Sequence, residues 1–188
     1  MKKILANIKI YKFLGAKIIT IHLPICSYYH LENSKVEVFK TLELASIYCQ
    51  KNGIQLSVEN NPKPPFDSTT EFTHLFTMNK KLSMTLDIGH VYRVSQKEFG
   101  KFLGNFSNKI KHVHLHYNKG ENDHLVFPEK KKKRLSYIIK KISRLKQGTT
   151  VTLEMFFVKE RQKIIPLDNK RRRRLLVDQL KSIKIQNL

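Results

Sequence analysis

A chain of 188 residues with 40% hydrophobic content is long enough to bury a substantial core and too apolar to stay disordered, which points to one soluble domain. Its 36 Lys and Arg against 15 Asp and Glu give a formal charge of +21, which suits a polyanionic partner without naming one. Two cysteines outside any CxxC spacing, Cys26 and Cys49, argue against a disulfide framework or a thiolate zinc site and fit the cytoplasm, while Lys9, Lys12 and Lys17 interrupt the apolar start before it could form a leader or a membrane span.

In chain order, residues 4–14 read as an outer helix. The β-branched run Ile18-Ile19-Thr20-Ile21 then follows Gly15, and similar runs return at 54–58, 82–86, 110–115 and 150–153, making five candidate strands. Between them the apolar residues adopt helical spacing. Val36, Phe39, Leu42, Leu44, Ala45 and Tyr48 precede Gly53, and further helical segments span 72–78, 99–106, 135–145 before Gly148, and 175–185. Asn33 or Ser34 is placed to cap the first of these, with Glu37 in its opening turn, and Gly53 and Gly148 suit the left-handed residue that ends a helix. The dense basic runs at 130–134 and 170–174 fall on outer helices at about 128–147 and 168–186 and read first as solvated faces. Strict alternation of strand and helix predicts a single α/β domain with a parallel sheet covered by helices, either open or closed into a barrel.

Each strand closes on a polar group. The first ends in His22, the second in Glu59, the third in Asp87 with His90 three residues on, the fourth in His114 with His116, and the fifth in Glu154. In a parallel array these carboxyl ends share one face, where such folds place their sites. Two Glu, one Asp and one His suit Mn²⁺, Mg²⁺, Co²⁺ or Zn²⁺, and a divalent cation would relieve the repulsion of three carboxylates buried together. The plainer alternative is that each acid caps a helix or sits in a loop, with Asp87-Ile88-Gly89 a turn. His112 reads as a strand residue facing the helices, and His30 and His74 have no supporting context.

Taken in order, the segments Gly15-Ala16-Lys17-Ile18-Ile19-Thr20-Ile21-His22, Leu56-Ser57-Val58-Glu59-Asn60, Leu86-Asp87-Ile88-Gly89-His90, His112-Val113-His114-Leu115-His116 and Thr152-Leu153-Glu154 resemble strands four to eight of the xylose isomerase-like barrels. That superfamily holds sugar phosphate isomerases and epimerases and the endonuclease IV type of apurinic endonuclease. The resemblance implies an incomplete (β/α) TIM barrel of about five parallel strands, with the first three βα units missing. It also implies one divalent metal on Glu59, Asp87, His114 and Glu154, and proton exchange by Glu59 and Glu154 next to the carbonyl of a small-molecule sugar or sugar phosphate. His22, His90, His116 and His124 would contact substrate or a second metal. The endonuclease branch, with three zinc ions, is the alternative reading; it would use His22, His90, His124 and Asn122 or Asp123, and the positive charge would favour DNA. Against it, Asp87-Ile88-Gly89-His90 lacks that branch's Cys, and Met155-Phe156 replaces its Thr-Pro. The chain also has His114-Leu115-His116-Tyr117-Asn118 where the family reads His-x-x-Asp-Asn. Because an open set of strands need not close around a substrate, a non-catalytic remnant that binds nucleic acid through its basic helices is a third reading. No membrane association is expected, and a homo-oligomer is compatible with the pattern.

Overall fold

The computed structural model describes residues 2–23, 32–64, 66–160 and 163–182; Cys26 and His30 lie outside the described residues. The main body alternates helix and strand: α1 (Lys2–Phe13), β1 (Ile18–His22), α2 (Glu32–Lys51), β2 (Gln55–Glu59), α3 (Thr69–Met78), β3 (Ser83–Asp87), α4 (Ile88–Val94), α5 (Gln96–Phe106) and β4 (Ile110–Leu115). A hairpin of β5 (Tyr117–Lys119) and β6 (Asn122–Leu125) follows, then α6 (Lys132–Ile142), β7 (Thr150–Leu153), a second hairpin of β8 (Phe157–Glu160) and β9 (Lys163–Pro166), and α7 (Asn169–Ser182). Strands β1, β2, β3, β4 and β7 form one sheet in that order, parallel throughout. This is a partial barrel wall with β1 and β7 at its edges.

Alternation along each strand sorts the sheet into two faces. On one face Leu56, Val58, Met84, Leu86, Val113 and Leu115 join a single apolar core with Phe39, Leu42, Ala45 and Cys49 of α2 and Phe72, Leu75 and Phe76 of α3. The same core takes in Phe99, Phe102 and Phe106 of α5 and Leu135 and Ile138 of α6. The other face is polar. Thr85 donates to Ser57 Oγ at 2.8 Å, and the Thr20 and Thr85 hydroxyls lie 2.8 Å apart. Gly53 and Gly148 both adopt positive φ, 71° and 91°, as their positions after helices predict.

Several local expectations are corrected. Helix α2 is already under way at Glu32, so Asn33 and Ser34 lie inside its first turn rather than before it. Val36 and Leu44 are exposed, because α2 buries the stripe through Phe39, Leu42, Ala45 and Cys49, onto which those two positions do not project. Asp87-Ile88-Gly89 is no turn: it is where β3 passes directly into α4. The second sheet, ordered β5, β6, β8, β9, occupies segments that the sequence pattern left as loops.

Candidate active site

The polar face is continuous in register. His22 pairs with Glu59, Asp87 with His114, and His114 with Thr152, two residues before Glu154. Laterally paired residues of parallel strands point the same way, so Glu59, Asp87, His114 and Glu154 emerge on one side at the carboxyl end of the sheet. A register shift between Met84 and Thr85 matters here. It pairs Met84 with Ile110 but Thr85 with His112, and so places His112 and His114 on the face of Thr85 and Asp87.

Glu59, Asp87 and His114 each offer a ligand-type atom within 4.8 Å of the others. His114 Nδ1 lies 3.2 Å from Glu59 Oε2, 3.7 Å from Asp87 Oδ2 and 3.3 Å from Glu154 Oε2, so the two glutamates flank one imidazole nitrogen. These separations allow charge attraction, yet neither oxygen of Glu59 nor Nδ1 of His114 has a hydrogen-bond partner among the described residues. Glu59 is 1% exposed. A buried carboxylate with both oxygens unsatisfied is costly unless something else completes its shell, and carboxylate oxygens with one imidazole nitrogen are the donor set of a divalent cation. The residues therefore fit such an ion.

Around this centre lies a second cluster. The His116 ring is buried, with Nε2 2.9 Å from Asp87 Oδ1 and Nδ1 3.0 Å from Asp123 Oδ1. Burial disfavours its charged form, but hydrogen bonds to Asp123 and Asp87 push the His116 pKa up to about 10. Burial likewise opposes the Asp87 carboxylate, and the bond from His116 with the charges of His116 and His90 nonetheless holds it below its ordinary range. Asp123, held by His116 and His90 against a burial penalty, is lowered as well. His90 places Nδ1 3.0 Å from the Asn60 carbonyl and Nε2 3.4 Å from Asp123 Oδ2; burial pulls its pKa down, but Asp123 and Asp87 raise it. His114 is raised too, the carboxylates of Glu59, Glu154 and Asp87 outweighing burial.

Of the sequence-predicted residues, His22 is peripheral, its side chain 67% exposed and Nε2 3.6 Å from Glu59 Oε2. His124 lies at φ 51°, an uncommon backbone for a residue with a Cβ, and carries Nδ1 to 3.7 Å from Glu154 Oε2. His112 does not face the helices. Its ring reaches Thr150 Oγ1 at 2.6 Å and Thr152 Oγ1 at 3.1 Å, and it stands 5.0 Å from the His114 ring, because residues two apart on a strand share a face. Burial and the neighbouring His114 lower its pKa.

Asp87 also caps α4, its side chain accepting the His90 N–H at 2.7 Å, as the plainer reading of a strand-end acid expects. Asn60, to which sequence reasoning gave no role, is buried and clamps the Asp87 backbone: its Oδ1 accepts the Asp87 N–H at 2.8 Å and its Nδ2 donates to the Asp87 carbonyl at 3.1 Å. The signal was available in the Glu59-Asn60 pair, where an amide directly follows a strand-end acid.

Comparison with known proteins places the fold. An uncharacterised protein of Methanocaldococcus jannaschii is 32% identical over 110 residues, which is 57% of this chain and 43% of that protein, so the chain spans under half of that relative's length. Among solved structures, a D-tagatose 3-epimerase-like protein superposes with a TM-score of 0.67 at 21% identity, covering 95% of this chain and 67% of its own. The IolI protein, whose structure has a bound zinc atom, gives 0.69 at 14% identity, covering 98% and 70%. At these identities the structures speak for the fold. The family model of the xylose isomerase-like TIM barrel matches residues 1–179, and this chain belongs to that family.

Proposed function

We propose that this chain forms the catalytic wall of a sugar or sugar phosphate isomerase or epimerase, with Glu59, Asp87, His114 and Glu154 holding one divalent cation. The observation that carries the reading is the buried Glu59 carboxylate, neither oxygen of which accepts a hydrogen bond among the described residues, facing a His114 Nδ1 that likewise makes none. A bound divalent ion would polarise a substrate carbonyl and offset negative charge developing on its oxygen. Glu59 and Glu154, set on either side of His114, are the residues to move a proton off and onto the neighbouring carbon. Asp87 and His114 serve as ligands. His90 and His124 line the approach to the same centre as substrate contacts, and exposed His22 marks its rim. Zinc in the structural neighbour and epimerase in the name of another agree with this assignment.

The test is metal analysis and titration of the purified protein with Zn²⁺, Mn²⁺ and Co²⁺, with turnover of ketose and ketose phosphate substrates. The expected result is one tightly held ion, and a Glu154→Gln variant that loses about 100-fold or more in turnover, the usual scale for a removed acid-base group. Wild-type protein that takes up no divalent ion would overturn the reading.

A second reading, an apurinic nuclease with several zinc ions, draws on three overlapping ligand sets: Glu59, Asp87 and His114; Asp87, His90 and His116; and His116, His124 and Glu154. It is disfavoured because His116 belongs to two of the sets while both its ring nitrogens are engaged by Asp87 and Asp123. Incision of abasic duplex DNA by the zinc-loaded protein would reverse that ranking.

A further inference from the structure

We infer that Asp123 and His116 are positioning residues: they fix the Asp87 carboxylate in its ligating orientation and thereby couple the β5–β6 hairpin to the cation site. The inference rests on the assignment of Asp87 as a ligand. It goes beyond that assignment by giving the hairpin a part in the centre's affinity.

A ligating carboxylate is useful only when its rotation is restrained, because an ion selects one orientation from those that the side chain samples. Three contacts restrain Asp87. The Asn60 side chain holds its backbone from both sides, the His90 N–H takes Oδ1 at 2.7 Å, and His116 Nε2 lies 2.9 Å from Oδ1 and 3.0 Å from Oδ2. His116 spans the carboxylate edge, so it governs where the remaining lone pairs point. The opposite nitrogen of His116 is held by Asp123 Oδ1 at 3.0 Å, and Asp123 Oδ2 also reaches His90 Nε2 at 3.4 Å. Asp123 belongs to β6, in the hairpin, and so one carboxylate from that element fastens two of the three rings beside Asp87, those of His116 and His90.

Gly89 supplies an independent observation. A Cβ built there would fall 1.9 Å from His116 Cε1, so the ring occupies the space a side chain would need. The φ of Gly89 is not in the left-handed region, which removes the usual backbone reason for glycine. The packing of His116 explains it instead. Asn118 of β5 also donates its side-chain amide to the Gly89 carbonyl, so the hairpin is attached to the first turn of α4 at two points.

Three variants test the coupling: Asp123→Asn, His116→Gln and Gly89→Ala. The last disturbs the ring by volume without removing a polar group. Each is compared with wild type by zinc titration, by the visible spectrum of the cobalt-loaded protein, and by amide hydrogen exchange of the metal-free protein at His90 and residues 117–125. The expected result is a drop in zinc affinity of about tenfold or more, the scale for lost outer partners of metal ligands. An altered cobalt spectrum and faster exchange at the His90 amide should accompany it, with far-ultraviolet circular dichroism unchanged. Affinity and spectrum equal to wild type in Asp123→Asn and Gly89→Ala would overturn the inference. If wild type binds no ion, the functional proposal fails separately, and exchange in the metal-free protein still decides the clasp: an unprotected His90 amide in the variants supports it, and unchanged protection refutes it.

Discussion

At the scale of single residues, the proposed cation would compete with a proton for His114. His114 titrates above its ordinary 6.5 because burial is outweighed by Glu59, Glu154 and Asp87. A cation needs Nδ1 free of its proton, so affinity should weaken as pH falls through that raised value, approaching a tenfold loss per unit once the ring is charged. Zinc titrations between pH 5 and about pH 9 would read this directly. The His116 cluster gives metal-free protein the opposite dependence at high pH. Its folded pKa of about 10 exceeds the ordinary 6.5, so its contribution to stability is complete below 6.5 and lost as pH rises through about 10. Asp87 and Asp123 are lowered from 3.8; their contribution is present above 3.8 and lost as pH falls below it. Denaturant titration of the apo protein should therefore find this cluster's contribution greatest between about pH 4 and 6.5, with His116→Gln flattening the alkaline limb. The convergence of Glu59, Asp87, His114, Glu154 and His90 was legible in the sequence because strand alternation and parallel order bring strand ends together. Asn60 and Gly89 were not, since each acts through a contact with a residue distant in the chain, and the role of Asp123 was not because it depends on the hairpin turning it back onto His116 and onto His90 of α4.

At the scale of elements, α5 shows how an aromatic stripe seats a strand. Phe99, Phe102 and Phe106 are buried, and Phe102 packs edge-on to Phe72 with ring centroids 5.6 Å apart and 5.9 Å from Phe106. Ser95 accepts the Glu98 N–H at 3.1 Å, which fixes where the helix starts. Truncation by Phe102→Ala should cost about 3 to 5 kcal/mol, read as a lowered denaturation midpoint, whereas an exposed change such as Met78→Gln should cost little. Helical spacing located α5 and α6 within three residues of their ends because one face of each is strongly apolar. Helix α4 escaped notice. At seven residues it is too short to develop a period, and its start depends on the Asp87 side chain serving as cap.

For the whole molecule, the two sheet edges and the charge act against each other. Strand β7 has Val151 46% exposed, and beside it runs an apolar groove of about 320 Å³ lined by Val113, Leu115, Ile139, Ile142, Leu145 and Leu153. Such an edge invites pairing, while a net charge of +21 keeps copies apart at low ionic strength. Salt should therefore promote self-association as repulsion is screened, and Val151→Lys should suppress it, as light scattering across a salt series would show. Among the described residues no helix is long and apolar enough to cross a membrane. A cation at 100 times its dissociation constant should stabilise the protein by about 2.7 kcal/mol, a rise of roughly 5 to 11 °C in Tm for a domain of this size.

The sequence by itself determined the order of strands and helices, the apolar face of most elements and the identity of the strand-end acids and histidines, because periodicity and polar strand ends are local properties of the chain. Tertiary structure alone decided the rest. The register shift between Met84 and Thr85 chooses which residues of β4 face the site, which is why His112 joins its polar face. The hairpin at 117–125 is held by contacts to α4, from Asn118 to Gly89 and from Asp123 to His90, that no local pattern encodes. Four acids and imidazoles at strand ends were visible in the sequence, but only the fold buries Glu59 and His114 side by side with no hydrogen bond among the described residues to either Glu59 oxygen or to His114 Nδ1, an arrangement a cation would satisfy.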